Sequence, residues 1–305
     1  MRAPARLALV ALALPLLALP VALRAQDYED MFDNPYLGQP KSLSLEAFGG
    51  AYWSTPWNDL VLLGSVNSGN TVEQVLLRQV QVQADRVYGG SVTYRRGRGG
   101  FRVEASYAES CLQLAGSCDP LLQGSATQVP LPRRIGVNTW TADVAAEVSL
   151  VPIKGGEAFR PFLLIGGGAV VYAPKGGAAQ LLPQFLDITG GTSSTIGTQV
   201  TVEFPGAGTV VADVRGIGME TMFSGVLGAG TDVRVPIGNG GVGLRLQAID
   251  HITNSPMHVS ILQGFTTPQP ATFNFGSIQN IRVSAGVVVD FDLGRVGRKP
   301  PSSEQ

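Results

Sequence analysis

The feature that most constrains this chain is a two-residue period in side-chain polarity. Residues 140–150 place Trp140, Ala142, Val144, Ala146, Val148 and Leu150 on one parity, and Thr141, Asp143, Ala145, Glu147 and Ser149 on the other. A β-strand sends successive side chains to opposite faces, so this segment makes one apolar and one largely polar face. The pattern repeats with Phe101, Val103, Ala105 and Tyr107 against Arg102, Glu104 and Ser106, and with Val242, Leu244, Leu246 and Ala248 against Gly243, Arg245 and Gln247. Near the C-terminus, Ile281, Val283, Ala285, Val287, Val289 and Phe291 alternate with Arg282, Ser284, Gly286, Val288 and Asp290. Weaker versions cover residues 42–52, 85–95, 159–173 and 219–235, giving eight segments in all. Each is near the length of about 9 to 11 residues that a tilted strand needs to cross a bilayer.

Connection lengths carry the argument further. The joins at 96–100, 152–158 and 236–240 are short and rich in Gly, whereas those at 53–84, 110–138, 174–218 and 253–279 each exceed twenty residues. Short and long joins alternate without exception. An up-and-down meander of eight antiparallel strands, closed as a transmembrane barrel with both termini on one side, has this asymmetry, with turns on the periplasmic side and long loops outside. Loops of this length are uncommon in compact soluble domains. The alternation continues through residues 74–84, where Val80, Val82 and Ala84 share the parity of Tyr88, Gly90 and Val92, so the second strand is expected to rise above the membrane. Within the third long loop, residues 198–204 are expected to pair as a hairpin arm.

The N-terminus fits export. Arg2 and Arg6 precede an apolar run over residues 7–23, and small Ala25 stands before polar Gln26 and Asp27. This is the order of a secretory signal peptide, expected over residues 1–25, with a periplasmic segment over 26–41. After Ala25 no uninterrupted apolar stretch has the length of a membrane helix, about 18 residues. The barrel is expected over 42–293 and a disordered periplasmic tail over 294–305, which contains Pro300 and Pro301. In an exported chain, Cys111 and Cys118 either close a small disulfide loop or remain a pair of free thiols.

Composition excludes several classes. With 22 Lys and Arg against 23 Asp and Glu, and 15% charged residues, the chain offers no electrostatic footprint for nucleic acid. Two His leave little for a metal centre, and neither a metal nor a cofactor is expected. The Gly cluster at 166–168 lacks the Lys and helix pattern of a phosphate loop.

Turning the polar parity inward places Glu46, Glu104, Asp143, Glu147, Asp232 and Asp290 in the lumen beside Arg95, Arg102, Arg234, Arg245 and Arg282. An eight-stranded barrel is just wide enough to be filled by side chains. Opposite charges there are expected to pair, giving a plugged barrel and not a general diffusion porin. Trp140, Tyr107, Tyr172, Tyr88, Tyr94 and Phe291 lie near strand ends, where aromatic girdles sit.

An exported chain with eight alternating strands and long loops on one side resembles the small outer-membrane β-barrel family of the outer-membrane protein A type. The likeness covers about residues 42–293. Its sharpest local piece is Ser284, Gly286, Val289 and Phe291, similar to the polar, Gly, apolar, aromatic signal read by the barrel assembly machinery. The chain departs from many members by running fourteen residues past Phe291, too few for a peptidoglycan-binding domain. The resemblance implies an integral location in the outer membrane of a Gram-negative bacterium. It also implies partners in outer-membrane lipid, the assembly machinery and an unknown extracellular molecule met by the loops, in a structural, adhesive or surface-interaction role.

Two other readings stand beside it. Residues 250–254, Asp-His-Ile-Thr-Asn, resemble the His, any, Ser, Asn segment of outer-membrane lipid A deacylases, with Thr253 in place of the Ser nucleophile and His251 as its activating base. Against this, His251 reads as a polar residue at the membrane rim. The third reading is a soluble, lipocalin-like barrel that carries an apolar ligand in its interior.

Overall fold

Alternation becomes strand wherever one face has apolar surroundings and the other has polar partners, and eight long strands form in that way. A computed structural model describes residues 40–59, 61–68, 71–83, 85–114, 135–151, 159–176, 182–205, 208–237, 240–263 and 271–295. The export segment at 1–25, the N-terminal segment up to residue 39, the tail from residue 296 and Cys118 lie outside these residues.

The barrel strands are β1 (Pro40–Ser54), β5 (Asp85–Arg96), β6 (Gly99–Leu114), β7 (Ile135–Ser149), β8 (Phe159–Pro174), β13 (Glu220–Ile237), β14 (Gly240–Asn254) and β17 (Ser277–Arg295). Each pairs antiparallel with the next in this order, and β1 pairs with β17 to close the ring. The chain is thus all-β, an up-and-down eight-stranded barrel with no open edge in the membrane. The β5–β6 turn needs only two residues, and Gly97 supplies its left-handed φ of 58° without a Cβ clash.

The two faces of each strand follow the sequence period. Every odd-numbered residue of β7 is buried, as is every odd-numbered residue of β14 from Gly243 to Thr253. Outward, Leu163, Ile165, Leu227, Val233, Leu244, Leu246, Val283 and Val287 are between 47% and 61% exposed and form an apolar band around the barrel. A face of this kind requires hydrocarbon as its solvent. Aromatic rows border the band. Tyr88, Tyr107 and Trp140 stand side by side across β5, β6 and β7, with the Tyr107 and Trp140 rings 4.4 Å apart. Toward the turns, Tyr94 pairs with Phe101 and with Leu43, which pairs in turn with Phe291. Tyr172 does not join a girdle: it is fully buried inside, because its parity on β8 is that of Leu164 and not of Leu163.

The long connections fold into further strands. The first carries β2 (Val61–Ser68), β3 (Thr71–Leu77) and β4 (Val80–Val82); the third carries β9 (Leu186–Thr189), β10 (Thr192–Ile196), β11 (Gln199–Phe204) and β12 (Gly208–Arg215). The fourth carries β15 (His258–Gln263) and β16 (Ala271–Asn274). Strands β10, β11, β12, β15 and β16 make one sheet and β2, β3 and β9 another, while β4 extends the barrel by pairing with the top of β6. Residues 80–82 do prolong β5 upward: on the side of β6 opposite β7, β4 continues the line of β5 along the top of β6, with the register moved by one residue between the Val87–Ala108 and Val82–Leu112 pairs. That shift exchanges the two faces, so Val80 and Val82 are buried although Tyr88 and Val92, of the same parity, face outward.

The inner faces of the two sheets meet over Val61, Leu63, Val75 and Leu77 on one side and Val200, Val202, Val210, Ala212, Val259 and Ile261 on the other. This core is continuous with the upper barrel interior through Trp57, Tyr52, Val87, Val137, Val170 and Tyr172. The result is a cap seated in the barrel mouth. An apolar exterior around a charged lumen is the reverse of a lipocalin, so the soluble-carrier reading is overturned.

Candidate functional site

All eleven charged residues that parity turned inward line the lumen: Glu46, Arg95, Arg102, Glu104, Asp143, Glu147, Asp232, Arg234, Arg245 and Arg282 are buried, and the Asp290 side chain retains 11% exposure near the turns. They form layers. Nearest the turns, Asp232 accepts Arg245 Nε at 2.5 Å and Arg245 Nη2 at 2.9 Å, a two-pronged pair, and also receives Arg95 at 3.3 Å and Arg234. Arg95 donates to Glu147 at 2.5 Å and to the Ser44 hydroxyl at 2.9 Å, while Asp290 accepts Ser44 and pairs with Arg234.

At mid-height, Glu46 receives Arg102 at 2.8 Å, Ser91 at 2.7 Å and Gln247 at 3.3 Å. Glu104 pairs with both Arg102 and Arg282. Arg245 lies over the Phe162 ring and Arg282 over the Phe48 ring, each 4.5 Å from the centroid. A guanidinium stacked on an aromatic face keeps its edge free for carboxylates, which is why Arg and not Lys fills these positions. Arg102, Arg245 and Arg282 retain at most 1% exposure, so water does not reach these three side chains.

Above the arginines lies a polar layer that closes the lumen against the cap. His251 Nε2 sits 2.7 Å from Asp143 Oδ2, with both side chains buried. Asn280 gathers the rest: its Oδ1 accepts the Tyr52 and Tyr172 hydroxyls at 2.9 and 2.7 Å, and its Nδ2 donates to the His251 carbonyl at 3.1 Å and the Thr253 hydroxyl at 3.3 Å. Gly168 allows this layer to close, since a Cβ there would lie 2.1 Å from Asp143 Oδ1.

The rim position read for His251 is corrected. On β14 it continues the inward parity of Arg245 and Gln247, and it supplies the partner that Asp143 lacked among the five arginines. His251 and Thr253 do share one strand face, as a base and a hydroxyl nucleophile must. Yet both are buried, with exposures of 0% and 3%, the hydroxyl is held by Asn280, and the site faces the interior and not the lipid.

Ser284 is buried in the lumen, Gly286 lies where a Cβ would be 2.7 Å from the Ala47 carbonyl, and Val289 and Phe291 face outward. Strand β17 runs four residues beyond Phe291. Cys111, on the upper part of β6, is disulfide-bonded.

Sequence reading missed Asn280, Tyr52 and the stacking rings Phe48 and Phe162. Parity alone points Ser44, Ser91 and Gln247 inward, so those three were legible. Asn280 stands just before the expected start of its strand, and nothing local marks it as a hub.

No protein-family model matches the chain, and no curated protein matches it. Among solved structures it is similar to the outer membrane protein OprG from Pseudomonas aeruginosa, at 11% identity and a TM-score of 0.37 over 85% of this chain and 99% of that one. The N-terminal β-barrel domain of OprF from the same organism shows 12% identity and a TM-score of 0.32 over 83% and 99%. The outer membrane protease OmpT from Escherichia coli shows 10% identity and a TM-score of 0.30 over 84% and 97%. Values this low carry no argument about activity, and the assignment of fold rests on the closed strand pairing and the apolar exterior. By fold, this chain is an eight-stranded antiparallel β-barrel of the small outer-membrane type.

Proposed function

We propose that the protein is a sealed outer-membrane anchor whose cap, on the extracellular side, acts in adhesion or another surface interaction. The observation that carries this reading is the division of labour along the barrel axis. Ion-paired side chains fill the lumen, while three of the long connections build one folded cap with its own core. A rigid scaffold that presents shaped connections commonly puts its function there. Export by the N-terminal signal segment and insertion by the barrel assembly machinery through Ser284, Gly286, Val289 and Phe291 belong to the same reading, with outer-membrane lipid around the apolar band.

The test is an epitope inserted after Gly197, at the β10–β11 turn, where the space around the glycine is open. The expected result is antibody binding on intact cells and attachment of expressing cells to a surface, blocked by a Fab against the epitope. Detection only after lysis would reverse the orientation. Steady ion flux in planar bilayers would overturn the sealed lumen. Acyl release from lipid A that disappears in Thr253→Ala would establish the hydrolase reading instead.

A further inference from the structure

We infer that an open groove on the side of the cap, between β2 and β16, takes an extended segment of a partner polypeptide that pairs main chain to main chain with the two strand edges. The inference rests on the surface-interaction reading and gives it a place and a chemistry. The groove has a volume of about 500 Å³ and is lined by residues that include Asp59, Leu62, Phe273 and Phe275. Phe275 stands two residues before the start of β17, and Asp59 follows the end of β1 by five residues, so the groove opens beside the barrel rim.

Its two walls are sheet edges. β2 is the last strand of the three-stranded sheet and β16 the last of the five-stranded one, and among the described residues neither has a partner on its outer side. An edge strand presents a row of main-chain donors and acceptors, which natural proteins usually guard with charges or proline. Neither β2 nor β16 carries a charged residue or a proline. The edge at β9, by contrast, carries Asp187, which pairs with Arg78 at 3.4 Å.

The floor and the end of the groove define the side chains the segment must have. Phe273 and Phe275 are packed against the cap core but remain partly open, and Leu62 is 51% exposed on the outer face. An extended segment places every second side chain toward such a floor, so its inward residues must be apolar and its outward ones polar. Asp59, the one charge lining the groove among the described residues, selects a cationic residue at that end. A small apolar molecule would cover the rings but leave both main-chain edges to water, so the strand is the better fit.

The test uses the full chain in detergent micelles and a fluorescent, end-blocked peptide of about seven alternating Val and Thr residues with one Lys, close to the eight residues of β2. Saturable binding by fluorescence anisotropy is expected. Leu62→Asp, at an exposed position, is expected to weaken it about tenfold, and N-methylation of alternate peptide amides is expected to do the same by removing edge hydrogen bonds. Asp59→Lys is expected to shift preference to a peptide carrying Glu in place of Lys. An unchanged gel-mobility shift on boiling shows that each variant is folded.

Equal binding of the methylated and unmethylated peptides would overturn the strand and indicate an apolar-ligand groove. Binding indifferent to Leu62→Asp would overturn the location, and peptide binding that competes with dimer formation would assign the groove to a second copy. If the peptide binds as expected while cells expressing the protein attach to nothing, the groove stands and the adhesion reading fails. Attachment that survives Leu62→Asp, in a variant that no longer binds the peptide, separates the two in the other direction.

Discussion

Asp232 shows how the lumen is held at the level of single residues. It receives three guanidiniums, one of them through two hydrogen bonds, in a site with 1% exposure. Replacing it by Asn keeps the shape but leaves Arg245, Arg95 and Arg234 short of one negative charge, and breaking a buried ion pair costs about 3 to 5 kcal/mol. Asp232→Asn is therefore expected to lower the urea midpoint of the folded, faster-migrating gel band, with Glu109→Ala as the contrast. Lys175 is hydrogen-bonded to Glu109 at the exposed rim, and that bond raises the pKa of the ammonium. Exposed pairs of this kind contribute about 0 to 1 kcal/mol, so the midpoint should barely move. The charged lumen was legible because parity assigns each residue a side. The pairing of Asp143 with His251 was not, because the apolar Ile249 interrupts the polar parity of β14 just before His251.

At the level of the element, β14 is a strand with two solvents. Leu244 and Leu246 face lipid, and Arg245 and Gln247 between and after them face the ion network. A shift by one residue would put Arg245 into hydrocarbon and Leu246 among carboxylates, so the register is fixed from both sides. Leu246→Arg creates half of that error and is expected to cost about 2 to 4 kcal/mol near the membrane midplane. The measure is the folded fraction after refolding into lipid vesicles, and a yield equal to the parent would show that this face does not meet lipid. Strands of this kind are visible in sequence because a membrane barrel needs the alternation over its whole height. Their upper ends are less visible: β6 runs on to Leu114 and β17 begins at Ser277. There the neighbours are β4 and the cap, and the apolar side of the strand no longer needs to face outward.

For the whole molecule, the joint between barrel and cap decides whether the two parts behave as one. Trp57 occupies it. Its ring lies 4.8 Å from that of Tyr172, its amide donates to the Val80 carbonyl at 2.6 Å, and its own carbonyl accepts the Ser255 hydroxyl. Trp57→Ala removes the largest buried apolar side chain at this level, a change that costs about 3 to 5 kcal/mol in a packed core. The barrel has its own closed ring of hydrogen bonds, so the heat-dependent gel shift is expected to persist while residues 61–82 become cleavable by protease. Loss of the shift would mean that the cap is needed for closure. By itself, the sequence determined the barrel: two-residue alternation over eight segments permits one closed sheet with lipid outside and charge inside, since each strand carries its own instruction. The tertiary structure alone decided the cap, the layer around Asn280 and the groove between β2 and β16. The cap joins residues from the first, third and fourth connections and the groove those from the first and fourth, and short apolar runs separated by glycine and polar residues do not specify which partners they will meet. The Asn280 layer joins the upper ends of β1, β8, β14 and β17, where parity names a side but not a partner.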